Sequence, residues 1–378
     1  MASIYIHIPF CKQACHYCDF HFSTSSKHKD ALVKAICKEL ALRKDELQLD
    51  IENIYFGGGT PSLLSKEDLV MIFESIYKHH SISSHPEITL EANPDDITEV
   101  KLKAFKSAGI NRLSLGIQSF FEEDLKLMNR AHNVHEAKKS LALVKENFDN
   151  YSIDLIYGMP NMTQERWAEN LNIALSYDIP HLSCYALTVE HNTALEKFIE
   201  KEVIAPLDDD QASAHFDILY DTMIERGYSH YEFSNFGRPG YFSQNNLNYW
   251  TGKPYLGIGP SAHSYNGNNL RTWTVKNNPK YVKSINTGKL PISTEVLTKT
   301  DQYNEYVMTR LRIQQGINLD EIKQKFGPSY FEYLMLQIES HLDAERLDLF
   351  QNHVTVTPKA KFLSDGIAAD LFKIEFEA

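Results

Sequence analysis

The chain has 378 residues, with 50 acidic against 38 basic side chains, a net charge of −12 and a pI near 5.7. That balance excludes capture of nucleic acid by a broad basic surface, since phosphate binding needs clustered Lys and Arg. Hydrophobic residues at 43% and charged residues at 23% describe a folded globular protein, long enough for one large domain and a smaller one.

The start, Met1-Ala-Ser-Ile-Tyr-Ile-His-Ile, has neither the basic n-region nor the cleavage site of a signal peptide. No apolar run approaches the roughly 20 residues that span a bilayer, so any membrane contact is expected to be peripheral. Five cysteines, three of them packed between positions 11 and 18, do not form a secreted disulfide framework. In a reducing compartment such a cluster binds metal or does chemistry, and the expected location is cytoplasmic.

β-Rich runs at 3–9, 53–56, 87–91, 112–116, 152–157 and 181–187 alternate with helical patterns. The helical stretches lie around Leu32, Val33, Ile36, Cys37 and Leu40, and at 66–78, 99–107, 135–147 and 164–176. Strands each followed by a helix predict a right-handed parallel sheet, here an α/β partial (β/α)6 TIM-like barrel. Residues 208–226 read as one further helix, and an aromatic-rich stretch follows at 228–278. From Thr298 the chain is helical again, with a short strand at 354–357 and a last helix, a mostly helical, winged-helix-like accessory domain. The expected division is a core of residues 1–235 and an accessory domain of residues 236–378.

The motif Cys11-Lys-Gln-Ala-Cys15-His-Tyr-Cys18 follows the first predicted strand. Three thiolates at this spacing wrap a loop around one cubane and leave one iron without a protein ligand. Such an open position is what cofactor chemistry requires. The competing assignment is a structural zinc completed by His16. Zinc motifs, however, come as two separated pairs, and no second pair is present. Cys37, on a helix face, and Cys184, in a strand, read as structural thiols.

The CxxxCxxC spacing with an aromatic before the last Cys resembles the radical S-adenosylmethionine (SAM) superfamily. Phe56-Gly57-Gly58-Gly59-Thr60-Pro61-Ser62 closes the second strand, where glycines let backbone approach a ligand. Further matches fall at strand ends, where barrel folds build their sites. They are Glu91 in Leu-Glu-Ala-Asn-Pro, Gln118 in Gly-Ile-Gln-Ser-Phe, Arg130 in Asn-Arg-Ala-His and Asp154 in Ile-Asp-Leu-Ile-Tyr-Gly-Met-Pro. Singly, each fits a helix cap or a buried turn former equally well. Together with the cysteines they resemble the oxygen-independent coproporphyrinogen III oxidase group. The resemblance implies that Cys11, Cys15 and Cys18 hold a [4Fe–4S] cluster. It also implies that Tyr5 and Tyr17 flank SAM, that Gly58, Gly59 and Thr60 take its methionine end, and that Glu91, Gln118, Arg130, Asp154 and Ala186 contact the rest.

Tyr231-Glu-Phe-Ser-Asn-Phe, Asn248-Tyr-Trp and Tyr255-Leu-Gly-Ile-Gly-Pro-Ser-Ala-His-Ser extend the likeness along most of the chain. The chain resembles the haem chaperone (HemW) branch rather than the decarboxylase. The cluster motif begins only ten residues in, without the decarboxylase's N-terminal extension, and Phe20 stands where the decarboxylase has a fourth cysteine. That branch implies haem as a further ligand and haem-requiring proteins as acceptors. Its His-Asn-x-x-Tyr motif reads Asn245-Asn246-Leu247-Asn248-Tyr249 here, which keeps Asn246 and Tyr249 but puts a poor iron ligand first. His263 and Tyr249 are the possible substitutes. The alternatives are a radical SAM oxidoreductase acting on a porphyrinogen and a scaffold that docks other proteins.

Overall fold

The computed structural model describes residues 1–374. The six expected strands are present as β1 (Ala2–Ile8), β2 (Ile51–Gly58), β3 (Ile82–Ala92), β4 (Arg112–Gln118), β5 (Tyr151–Tyr157) and β6 (His181–Ala186). They pair in chain order, each parallel to the next. Each strand carries two residue sets with period two. On β1, Ile4, Ile6 and Ile8 are fully buried against helices, whereas Ser3, Tyr5 and His7 face the inside of the curved sheet. On β4, Leu113, Leu115 and Ile117 pack outward, and Arg112, Ser114, Gly116 and Gln118 turn inward. The inner face is therefore polar.

Outside lie α1 (Lys29–Leu42), α2 (Lys66–His79), α3 (Glu99–Ala108), α4 (Glu122–Leu127), α5 (Val134–Asn147), α6 (Gln164–Ser176), α7 (Ala194–Glu200) and α8 (Asp209–Glu225). Their starts are chemically marked. Ser65 with Asp68 and Asn133 with Glu136 form capping boxes on α2 and α5, each satisfying two otherwise orphaned donors.

The 12-stranded sheet continues past the six expected units. Beyond β6 come β7 (Ser229–Glu232) and β8 (Asn235–Gly237). Helix α9 (Gln244–Trp250) then crosses the N-terminal ends of β1 and β3, with Asn248 Nδ2 donating to Ser3 Oγ at 3.1 Å and the Gln244 N–H donating to Glu87 at 3.0 Å. At the other edge β9 (Tyr255–Ile258) pairs parallel to β1, followed by antiparallel β10 (His263–Tyr265), β11 (Leu270–Thr274) and β12 (Ile292–Val296), with α10 (Asn278–Asn286) packed on α1. The buried Arg43–Glu39 pair stitches this edge to α1. Arg43 donates to the Gly257 carbonyl at 2.8 Å, and Glu39 accepts from the Gly259 N–H and from Tyr281 Oη. The division expected at 235/236 thus falls inside β8, and residues 236–296 share the core's sheet and hydrophobic cluster.

A second hydrophobic cluster begins at Tyr303 and ends at Leu371. It is built by α11 (Lys299–Leu311), β13 (Ile317–Asn318), α12 (Leu319–Phe326), α13 (Pro328–Asp343), the hairpin β14 (Leu347–Phe350) and β15 (His353–Val356), and α14 (Ser364–Asp370). Helix, strand, two helices and a hairpin is the element order of a winged helix, as expected. Arg312 joins it to the sheet by lying over the Phe233 and Trp250 rings, 5.2 Å from each centroid.

Candidate functional site

A cavity of about 560 Å³ opens at the C-terminal ends of the parallel strands. Cys11, Cys15, Tyr17, Cys18, Gly58, Gly59, Thr60, Glu91, Gln118, Arg130, Asp154 and Ala186 all line it. These positions are scattered over more than 170 residues of chain; only the parallel register brings them to one rim.

The three cysteines sit half-buried on the loop after β1. That loop is pinned by the segment after α4: Gln13 Nε2 donates to Asn129 Oδ1 at 2.7 Å, Asn129 Nδ2 to the Ala14 carbonyl at 2.7 Å, and the His16 N–H to the Met128 carbonyl at 3.0 Å. Burial pushes the Cys18 thiol up to about 12 and the Cys11 thiol upward as well. Among the described residues no group of three or more His, Cys, Asp or Glu closes round a single metal ion. A cubane, whose thiolates bind three different irons, sets its ligands wider apart. His16 is also committed elsewhere, its ring packed edge-on against Phe198 and its Nδ1 bonded to the Leu127 carbonyl at 2.8 Å.

Arg130 fills the wall beside Cys15. Its Nη1 donates to Cys15 Sγ at 3.3 Å and to Tyr17 Oη at 3.4 Å, and its Nη2 donates to Asn93 Oδ1 at 2.8 Å and the Gly116 carbonyl at 2.9 Å. Its buried Nε has no partner, an orphan donor that suits a ligand carboxylate. Asn93 in turn reaches Thr60 Oγ1 at 3.3 Å and so couples the glycine turn to Arg130.

The glycine turn is tighter than ligand approach alone requires. Gly58 has φ +107°, and a Cβ there would lie 2.5 Å from the His7 ring; at Gly59 it would lie 2.8 Å from the Ile8 carbonyl oxygen. Gly58→Ala is therefore expected to cost about 1–3 kcal/mol from backbone strain alone, read as a lowered midpoint in urea unfolding. Gln118, also on the rim, holds φ +65° without being glycine, a strained conformation at a residue that lines the cavity.

Two acids face each other across the floor. Tyr55 Oη donates to Glu91 Oε1 at 2.8 Å, the Gly58 N–H donates to Oε2 at 3.2 Å, and Ser114 Oγ donates to Asp154 at 3.4 Å. Burial pushes Glu91 up to about 7 and Asp154 up to about 6, the charge of Asp154 adding to the rise at Glu91.

Three expected residues stand elsewhere. Tyr5 lies below the rim, stacked on Tyr55 and hydrogen-bonded to His7 Nδ1 at 3.2 Å. Asn246 is in neither cavity; its N–H caps α9 through Ser243 Oγ. Tyr249 lines a second cavity of about 680 Å³ between the sheet edge and the C-terminal domain. Asn245 is buried against β3 with Oδ1 unpartnered. His263 stacks on Trp273 and lines neither cavity. Asn93, Tyr55, Ser114 and Gln13 were not anticipated. The alternating polar residues on the inner faces of β2 and β4 were the signal that could have found Tyr55 and Ser114.

A model of the Radical SAM superfamily matches residues 5–174, and one of the HemN C-terminal domain matches residues 297–363. The chain is 36% identical to the heme chaperone HemW of Bacillus subtilis over 335 residues, covering 87% of this chain and 88% of that one. This chain belongs to the HemW family. HemW of Lactococcus lactis is 31% identical over 367 residues, covering 97% and 96% of the two chains. The radical SAM coproporphyrinogen III oxidase HemN of Escherichia coli superposes with a TM-score of 0.85 at 23% identity, over 98% of this chain and 90% of that one. HemW and HemN thus share one fold, including the C-terminal domain.

Proposed function

We propose that this protein is a haem chaperone: it holds a [4Fe–4S] cluster on Cys11, Cys15 and Cys18, binds SAM in the adjoining cavity, and carries haem to haem-requiring proteins. The observation that carries this reading is that the likeness to heme chaperones runs through both domains rather than stopping at the cofactor cavity.

The residues present fit the two cofactors. Three thiols leave one cluster iron open, and the orphan Nε of Arg130 beside Cys15 suits the SAM carboxylate. When bound, the reduced cluster supplies the electron that cleaves the SAM sulfonium. Glu91 and Asp154 offer acceptors for the ammonium or ribose hydroxyls, and Tyr17 holds Arg130 in place. The Gly58–Thr60 turn takes the methionine end, and Gln118 and Ala186 close the far wall. Asn246 and Tyr249 are the family-motif positions at which the resemblance implies haem contact; of the two, Tyr249 lines a cavity.

The second reading, a porphyrinogen oxidase, draws on the shared fold with HemN. Phe20 argues against it. In the place of that group's fourth cysteine stands an apolar ring, 65% exposed at the cavity mouth. The protein is read as cytoplasmic, with at most peripheral membrane contact; among the described residues no helix is long and apolar enough to cross a membrane. Nucleic acid is not a partner on this reading, given the net charge of −12.

Haem transfer tests the proposal. Haem-loaded protein mixed with an apo haem-requiring enzyme is expected to restore that enzyme's Soret band and activity faster than an equal concentration of free haem. Transfer no faster than from free haem, together with decarboxylation of a porphyrinogen on anaerobic turnover, would move the assignment to the oxidase.

A further inference from the structure

The second cavity is rich in basic side chains although the chain as a whole is acidic. The chain as a whole has 50 acids to 38 bases, yet this cavity is lined by Arg271, Lys299, Arg310 and Lys325 against one carboxylate, Glu305. The two arginines are largely committed. Arg271 Nη2 donates to both carboxylate oxygens of Glu305, each at 2.8 Å, and Arg310 lies over the Tyr306 ring and reaches the Trp250 and Thr251 carbonyls. The two lysines are exposed at the rim. Lys325 meets Glu321 at 3.4 Å and the Tyr306 ring at 5.3 Å, and Lys299 lies over the Tyr330 ring at 5.5 Å. Lysine on a flexible stem can turn toward an incoming anion at little cost.

Between these cations the walls are aromatic. Tyr249, Trp250, Tyr255 and Tyr306 all face the space. Aromatic walls bury flat apolar rings, and rim cations hold acidic substituents. About 680 Å³ lies inside the range of ligand pockets, roughly 300–1,000 Å³. The ligand class that uses every part is a planar macrocycle or polycycle carrying carboxylates at one edge.

We propose that this interdomain cavity is the haem seat: a tetrapyrrole dicarboxylate lies against the tyrosine and tryptophan faces with its carboxylates on Lys299 and Lys325. The inference rests on the chaperone reading and adds the place. It also removes position 245 from the site. Asn245 is buried against β3 and is absent from the lining, whereas Tyr249, one turn further along α9, is part of it.

The test is a fluorescence and Soret titration of the full chain with haem, metal-free protoporphyrin and protoporphyrin dimethyl ester, with ATP as an unrelated anion bearing an aromatic ring. Lys299→Gln/Lys325→Gln removes the rim charges, and Thr309→Trp fills the cavity from α11. Both are expected to weaken haem and protoporphyrin binding at least tenfold. The ester should bind the unaltered chain at least tenfold more weakly, and Asn245→His should leave affinity within about threefold. Retained melting temperature shows that the variants fold. If the unaltered chain binds haem and both variants bind it equally well, the seat is elsewhere and the chaperone reading stands. Competition by ATP as strong as by protoporphyrin would overturn the ligand class. If the unaltered chain takes up no haem, the chaperone reading itself fails.

Discussion

Replacing Cys11, Cys15 or Cys18 by alanine abolishes the cluster absorption and the reduced-state EPR signal of anaerobically reconstituted protein, while the apo fold survives. Three ligands are the minimum that hold a cubane with one open iron, so no single loss is tolerated. The thiols are half-buried on a loop, outside both hydrophobic clusters. Their truncation removes little packing, and apo melting temperatures are expected to stay within about 2 °C of the parent. His16→Ala supplies the contrast: its imidazole bonds the Leu127 carbonyl, so the variant keeps its cluster. One zinc per chain, lost equally in His16→Ala and Cys15→Ala, would restore the zinc assignment.

The second large effect is a pH dependence of SAM affinity. Glu91 is pushed up to about 7 and Asp154 to about 6, so both bind protons in the cavity near neutrality. SAM brings an ammonium and a sulfonium, and a cation favours the ionised carboxylates. Protons must therefore leave as SAM enters. Below pH 7 the affinity is expected to fall about tenfold per pH unit, more steeply below pH 6 as the second acid joins, and to level off above about pH 8. Glu91→Gln removes the upper step and weakens binding at pH 8 by roughly tenfold, the order of one charge-assisted hydrogen bond. Calorimetry in two buffers of different ionisation enthalpy measures the released proton directly. An affinity flat between pH 6 and 8 contradicts the assignment of these acids to the cation.

How much of this was legible beforehand varied with the kind of signal. The six parallel strands and most of their helices follow from periodicity, because outward residues such as Ile4, Ile6 and Ile8 must be apolar to bury a helix. The cysteine loop, the glycine turn and Arg130 were legible as motifs. The sheet's outer edge was not: β8 and β10 have only three residues each, too short for alternation to stand out from an aromatic loop. Their partners are fixed by long-range bonds such as Arg43 to Gly257, over 214 positions. Asn93 escaped notice for a similar reason, since its importance lies in bridging Thr60 and Arg130, which only the folded register brings together. Tyr5 was expected beside the cofactor, but Tyr55 stacks on it and Tyr55 itself reaches Glu91. The motif at 245–249 read as one haem site, yet its first residue turns to the sheet and its last to the interdomain cavity.

The measurement that bears most directly on the whole account is a haem titration of the full-length protein, reconstituted anaerobically with iron and sulfide and followed by absorption. The account predicts a saturable Soret band at one haem per chain that appears in addition to a cluster spectrum requiring Cys11, Cys15 and Cys18. A cluster that forms normally while haem keeps its free spectrum at equimolar, micromolar concentrations would contradict it.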